Sequence, residues 1–149
     1  MSNSADKKKI LFLCTGNSCR SQMAEGFARY FWGDSYDVFS AGIEKHGLNP
    51  SAVEVMGEAG VDISGHTCKT VAELGKIEFD YVVTVCDSAR ENCPFVPAQV
   101  KLIHQSFSDP PKETALRTTD KEKLEVYRRV RDEIRDFINT LPAALGKDQ

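Results

Sequence analysis

The chain has 149 residues, a formal net charge of −3 and 28% charged residues. Its only dense basic run is the three lysines at 7–9, whereas a nucleic-acid surface needs many clustered cations, so no nucleic-acid partner is expected. Residues 1–9 lack the apolar core of a signal peptide, and no apolar run is long enough to span a bilayer. We therefore expect one cytoplasmic domain over residues 1–149 without a membrane partner, in which residues 1–8 form a flexible tail.

The five cysteines are not expected to form a disulfide framework. Their number is odd, and a cytoplasmic protein keeps its thiols reduced. Zinc is the less favoured alternative, because the gap between Cys86 and Cys93 is longer than that of a zinc-finger knuckle. The other close pair, Cys14 and Cys19, lies in a loop suited to anions, so no metal is predicted.

The spacing of apolar residues predicts strands that alternate with helices. In chain order, the sequence predicts a strand at 10–13, a helix at 21–32, a strand at 37–40, a helix from the N-cap Asn49 and Pro50 to Gly60, a weak helix at 70–74, strands at 81–85 and 100–103, and a long amphipathic helix at 124–141. This alternation predicts a single-domain α/β fold, a four-stranded parallel sheet flanked by helices on both faces.

The loop between the first strand and the first helix carries the strongest chemical signal. Small residues that enter a helix can point backbone N–H groups inward, and the helix dipole adds positive potential for a tetrahedral oxyanion. Arg20 can donate two hydrogen bonds to one oxyanion, and the same potential is expected to hold Cys14 largely as a thiolate at neutral pH. Alone, each residue has a structural interpretation, but their combination favours a nucleophile in an oxyanion loop. The predicted loop consists of Thr15, Gly16, Asn17, Ser18, Cys19, Arg20 and Ser21, with Cys14 at its base.

Three residues that can carry chemistry follow predicted strands. Cys14 follows the first strand, Cys86 the third, and Asp109 lies in the loop beyond the fourth. Because ligands of parallel sheets bind beyond the carboxyl ends of the strands, we expect these residues to converge. Taken singly, Cys86 and Cys93 are two loop thiols, and an aspartate before Pro110 is common in turns.

Together, these motifs closely resemble the thioredoxin-coupled arsenate reductases built on the low-molecular-weight protein tyrosine phosphatase fold. The resemblance spans about residues 9–141 and rests on four features: the run from Cys14 to Gly26, the turn Ser40-Ala41-Gly42, the pair Cys86 and Cys93, and Asp109-Pro110. It implies that arsenate is the substrate, that thioredoxin is the reductant, and that no cofactor is tightly bound.

The resemblance also implies the catalytic residues. Cys14 attacks the arsenic of arsenate held by the loop and Arg20, and Asp109 donates a proton to the departing oxygen. Cys86 then attacks Cys14 and releases arsenite, and Cys93 moves the disulfide to the Cys86–Cys93 pair, where thioredoxin reduces it.

The remaining candidates are expected to be structural. In relatives that bind potassium under the loop, the ligands resemble Asn17, Glu25, Ser40 and an aspartate, but Lys69 stands where that aspartate would be. Because the Lys69 ammonium can pair with Glu25, a potassium site is doubtful. Cys19, His66 and His104 are expected to serve packing, and Cys68 is expected to be a surface thiol outside the disulfide sequence.

Three alternatives remain open. A tyrosine phosphatase acting through a Cys14 phosphocysteine needs only Cys14, Arg20 and Asp109, but its aromatic residues after Asp-Pro are replaced here by Pro111-Lys112-Glu113. A non-catalytic oxyanion sensor would bind anions without turnover. A reductase could also draw on a glutaredoxin or a small thiol, although the third cysteine favours thioredoxin. A monomer is expected, since no oligomerisation pattern is evident.

Overall fold

The structure, a computed structural model, describes residues 7–17, 19–44, 46–86, 100–116 and 119–146. Its strands are β1 (Lys8–Cys14), β2 (Tyr36–Gly42), β3 (Tyr81–Thr84) and β4 (Lys101–His104). Its helices are α1 (Arg20–Trp32), α2 (Pro50–Glu58), α3 (Pro110–Thr114) and α4 (Asp120–Gly146), with a 3₁₀ turn at Ala72–Leu74. The predicted α/β class is confirmed.

The four strands form one sheet in the order β2-β1-β3-β4, and every neighbouring pair is parallel. The central position of β1 follows from its sequence, because Ile10, Leu11, Phe12 and Leu13 are all buried and only an inner strand covered on both faces can bury four consecutive apolar side chains. The carboxyl end of β1 therefore lies in the middle of the sheet edge, next to the ends of β2 and β3.

Helix α1 packs on β1 and β2 and contacts the long helix α4, which also contacts α2 and α3. The buried residues of α4 recur every three or four positions: Val126, Tyr127, Val130, Ile134, Ile138 and Leu141. The indole N–H of Trp32, the last residue of α1, donates to the carbonyl of Ile138. In the part of the chain that the structure describes, no helix is long and apolar enough to cross a membrane.

The observed elements follow the predicted order, but several bounds differ: the long helix spans Asp120–Gly146, β2 continues to Gly42, and the weak helix expected at 70–74 is the 3₁₀ turn at Ala72–Leu74. Two further differences lie at the start of the fold and after β4. Strand β1 begins at Lys8, and Lys7 donates to the carbonyl of Gly33, so these two residues belong to the fold and not to the expected tail over 1–8. Helix α3 was not predicted. Its signal was present, because Asp109 before two prolines can begin a helix: proline fixes a helical φ in the first turn and needs no N–H partner there.

We predict that Asn49→Ala lowers the free energy of unfolding by about 1 kcal/mol. Asn49 is the N-cap of α2, and its Oδ1 accepts hydrogen bonds from the backbone N–H groups of Ser51 and Ala52 at 2.8 and 3.1 Å. Urea denaturation measures the change. Asn49→Ser, which keeps an acceptor at the cap, should lose clearly less, and equal losses in the two variants would contradict the capping role.

Candidate active site

The oxyanion loop (residues 14–21) is fastened to the chain that follows β2. The backbone N–H groups of Ile43, Glu44 and His46 donate to the carbonyls of three successive loop residues, Cys14, Thr15 and Gly16. Because N–H and C=O point in opposite directions across a planar trans peptide, the N–H groups of the same three peptides point away from this segment. The N–H groups of Gly16 and Asn17 are thereby available to an anion, whereas the N–H of Thr15 donates to the Cys14 sulfur.

Gly42 allows this close approach of β2 to the loop. A Cβ at position 42 would lie 2.7 Å from the backbone nitrogen of Asn17 and 2.8 Å from the carbonyl oxygen of Thr15. Both atoms are main chain and cannot move aside without distorting the loop. The segment Ser40-Ala41-Gly42, expected as a turn, is the carboxyl end of β2 and has a steric role at the site.

Asn17 fixes the shape of the loop through its backbone conformation and its buried side chain. It is fully buried and has a φ of 51°, the only positive φ of a non-glycine residue among the residues that the structure describes. Its Oδ1 accepts from the backbone N–H of Lys69 at 2.9 Å, and its Nδ2 donates to Ser21 Oγ at 2.9 Å and to Ser40 Oγ at 3.0 Å. A left-handed residue in such a loop turns successive N–H groups toward one point, which creates a concave anion site.

Cys14 and Cys86 meet at the carboxyl ends of β1 and β3. Both thiols are buried, they are hydrogen-bonded to each other, and Cys86 Sγ lies 3.3 Å from the hydroxyl of Thr15. The hydrogen bond with Cys86 and burial raise the pKa of Cys14 well above its ordinary value, although Arg20 and the N–H of Thr15 act in the opposite direction.

The pKa shift of Cys14 is therefore opposite to the one that the sequence predicted. The loop and Arg20 do favour the thiolate, as expected, but the sequence did not show that a second buried thiol shares the site. Ionisation of Cys14 beside this second thiol is disfavoured. Cys14 is protonated in this arrangement.

Arg20 and Asp109 line the cavity into which the loop opens. Arg20 Nη2 lies 3.6 Å from Asp109 Oδ2, and Arg20 Nη1 donates to the carbonyl of Phe107 at 3.1 Å. The Arg20 side chain is 11% exposed and that of Asp109 40%. The cavity has a volume of about 540 Å³, enough for a small oxyanion, and is lined by Thr15, Arg20, Cys86, Ser106, Phe107, Ser108, Asp109 and Lys112.

Glu25 is the buried carboxylate under the loop. It accepts from Ser40 Oγ at 2.5 Å and from Arg29 Nε at 2.8 Å, and Lys69 Nζ lies 3.9 Å from it. The ion pair with Lys69 that the sequence suggested is thus present. His66 Nδ1 also lies 3.9 Å from Glu25, and burial lowers the pKa of His66.

The structure brings the predicted residues Cys14, Arg20, Cys86 and Asp109 together at one edge of the sheet, as expected. Ser18 and Cys93, which the sequence also assigned to the site, lie outside the described residues. The assigned catalytic roles remain predictions.

Three residues expected to be structural have defined surroundings. Cys19 is buried just before α1, and burial raises its pKa to about 12, so it is not a nucleophile at neutral pH. His104 Nδ1 lies 2.7 Å from Thr84 Oγ1. The expectation that Cys68 is a surface thiol is wrong: it is partly buried, and its thiol donates to the carbonyl of Asn17 at 3.0 Å.

Sequence analysis missed Gln22. This residue is fully buried directly after the loop, and its amide contacts Asn17, Thr67 and His66. Two of these partners lie 44 and 45 residues away in sequence, so no local pattern could identify them.

The parallel sheet, with a cysteine loop at its central carboxyl edge, is a fold of the low-molecular-weight phosphatase type. The chain belongs to the low molecular weight phosphotyrosine protein phosphatase family, which it matches over residues 9–149. An arsenate reductase from Halalkalibacterium halodurans is 51% identical over 142 residues, which are 95% of this chain and 99% of the relative.

Solved structures agree with this assignment. One is described as an arsenate reductase in the phosphate binding state. It has a TM-score of 0.73 and 31% identity, and the match covers 92% of this chain and 98% of that one. Another, an arsenate reductase in oxidized state, has a TM-score of 0.72 and 32% identity, with 93% and 99% covered. The resemblance found in the sequence is confirmed.

We predict that Cys86→Ala lowers the pKa of Cys14, because it removes the hydrogen bond that contributes most to raising it. The pH at which Cys14 becomes reactive should therefore fall, and alkylation near neutral pH should be faster than in the wild type. Iodoacetamide modification, followed across pH by peptide mass spectrometry, measures this change. Thr15→Val keeps both thiols and serves as the control. A Cys14 profile unchanged by Cys86→Ala would contradict the coupling.

Proposed function

We propose that this protein is an arsenate reductase that converts arsenate to arsenite through Cys14, Cys86 and Cys93 and is regenerated by thioredoxin. The observation that carries the proposal is the convergence of two buried thiols, Cys14 and Cys86, at the carboxyl ends of β1 and β3 beside a cavity lined by Arg20 and Asp109. A phosphatase needs one nucleophilic thiol, whereas a second thiol in contact with it allows a disulfide to form. The arsenate reductases among the relatives support the same activity.

In the first step, the loop N–H groups and the Arg20 guanidinium hold the arsenate oxygens. Cys14 gives up its proton, for which the dianionic substrate offers an acceptor, and its sulfur attacks arsenic. A sulfur–arsenic bond forms and an arsenic–oxygen bond breaks. Asp109, at the rim of the cavity, supplies the proton with which that oxygen leaves as water.

In the second step, the Cys86 thiolate attacks the Cys14 sulfur. A sulfur–sulfur bond forms, the sulfur–arsenic bond breaks, and its electron pair stays on arsenic, which is reduced from arsenic(V) to arsenic(III) and leaves as arsenite. The two thiols have together lost two electrons. The Thr15 hydroxyl, 3.3 Å from Cys86 Sγ, can donate to the attacking thiolate.

In the third step, Cys93 attacks Cys86, which releases Cys14 and leaves a Cys86–Cys93 disulfide for the thioredoxin dithiol to reduce. This step rests on the sequence resemblance, because Cys93 lies outside the described residues. Because Cys86 is buried, its sulfur has to leave this position during turnover to be reached. We further propose that the protein acts in the cytoplasm as a monomer.

Reduction of arsenate by thioredoxin, thioredoxin reductase and NADPH tests the function. We predict that Cys14→Ser, Cys86→Ser and Cys93→Ser each abolish multiple turnover. Without thioredoxin, Cys93→Ser should still release about one arsenite per protein while a Cys14–Cys86 disulfide accumulates, whereas Cys86→Ser should release none, because the electrons come from the Cys14–Cys86 thiol pair.

The same variants distinguish the family's phosphatase chemistry. Aryl phosphate hydrolysis that depends on Cys14 but survives in Cys86→Ser, together with no arsenate-dependent NADPH oxidation by the wild type, would replace the reductase with a phosphatase. If neither the wild type nor any variant turns over arsenate or aryl phosphate, but oxyanion binding is retained, the protein is a sensor.

We also propose that the protein works without potassium. The Lys69 ammonium next to Glu25, together with the Arg29 guanidinium, already supplies positive charge under the loop, and the residues there do not fit a further cation.

We predict equal arsenate reduction in potassium and sodium chloride at matched ionic strength. Lys69→Asp removes the ammonium and adds a carboxylate, so its activity should rise with potassium concentration. A wild-type enzyme stimulated by potassium but not by sodium would contradict the proposal.

A further inference from the structure

The side-chain amide of Gln22 lies next to the oxyanion loop and was not predicted as a site residue. It lies in the first turn of α1, is fully buried, and has hydrogen-bond partners at both its nitrogen and its oxygen. Its Nε2 lies 3.0 Å from the carbonyl oxygen of Asn17, 3.1 Å from Asn17 Oδ1 and 3.0 Å from the carbonyl oxygen of Thr67. Its Oε1 lies 2.9 Å from His66 Nδ1.

These contacts determine which way the amide points. The nitrogen faces three oxygen atoms, none of which carries a proton to donate, so that end must be the NH₂ group. The oxygen therefore faces His66, whose Nδ1 donates to it. The reversed amide would set an oxygen against three oxygens, none of which can donate to it.

We propose that Gln22 is a positioning residue for oxyanion binding. It joins the main chain and the side chain of Asn17 to residues 66–67, and so keeps Asn17 in the left-handed conformation that gives the loop its concave shape. Gln22 does not touch the anion; it acts through Asn17. This role adds detail to the proposed function. It rests on that function in one respect, that the loop would hold the arsenate.

The other contacts of Asn17 mostly restrain its side-chain amide, so its main-chain carbonyl is held mainly by Gln22. Ser21 and Ser40 hold its Nδ2, and the Lys69 N–H holds its Oδ1. The carbonyl of Asn17, which turns with the left-handed φ, is held by the Gln22 amide and the Cys68 thiol. Because a thiol is a weak donor, the amide is the main restraint on this peptide group.

Titration calorimetry with inorganic phosphate tests the role, using Gln22→Met, which keeps a long side chain of similar volume but has no donor. We predict a dissociation constant for phosphate at least about ten-fold higher than in the wild type, and a KM for arsenate raised by a similar factor with a smaller change in kcat, because loss of geometry weakens anion binding first. Val55→Ala, which opens a cavity in the core at α2, is the control for lost stability and should leave both constants unchanged.

A purely structural role predicts the opposite pattern. Gln22→Met would then unfold at a lower temperature, as Val55→Ala does, yet bind phosphate within about two-fold of the wild type, and this result would overturn the proposal. The wild type offers a second measurement that does not depend on a variant: the side-chain amide resonances of Gln22 should shift on titration with phosphate, with the dissociation constant found by calorimetry. Resonances that do not move at saturation would overturn it as well.

The proposed function can fail separately. If the wild type binds phosphate and Gln22→Met weakens that binding, but arsenate is not reduced, the reductase is refuted and the positioning role is supported. If the wild type reduces arsenate but Gln22→Met leaves the KM for arsenate unchanged, the positioning role is refuted and the reductase is supported.

Discussion

The left-handed backbone at Asn17 is the constraint on which the site depends. An L-residue in this conformation is disfavoured by roughly 1–2 kcal/mol relative to the right-handed region, and asparagine tolerates it better than most. The surrounding hydrogen bonds offset this penalty: both ends of the Asn17 amide and its carbonyl are bonded within the buried layer under the loop. The loop can therefore present its N–H groups in one direction before any anion arrives, which avoids reorganisation during the reaction.

The two buried thiols show a conflict that a redox enzyme must resolve. Burial and the neighbouring Cys86 favour a protonated Cys14, whereas the loop and Arg20 favour the thiolate. A phosphatase site would be better served by removing the second thiol. Keeping Cys86 nearby raises the pKa of Cys14. In the proposed reaction it also places the second thiol beside the sulfur–arsenic bond, so the second step would need little movement.

Arsenate reductases and phosphatases can share this fold because the same kind of loop binds arsenate and phosphate. Both are tetrahedral, both carry negative charge on several oxygens, and both are held by converging N–H groups and a forked guanidinium. The difference between the two chemistries lies outside the loop, at Cys86 and in the residues that follow Asp109. Family membership by itself therefore does not decide the reaction, and the contact between the two thiols carries more weight.

The sequence alone determined the α/β class, most element positions and the convergence of Cys14, Cys86 and Asp109, because apolar periodicity is a local property and parallel strands bring their carboxyl ends to one edge. It could not predict the pKa of Cys14, which depends on how close Cys86 comes, nor the burial of Cys68, which follows from its contact with Asn17. The contacts of Gln22 could not be predicted for the same reason. Burial and long-range hydrogen bonds join residues tens of positions apart, and only the tertiary structure decides which of them meet.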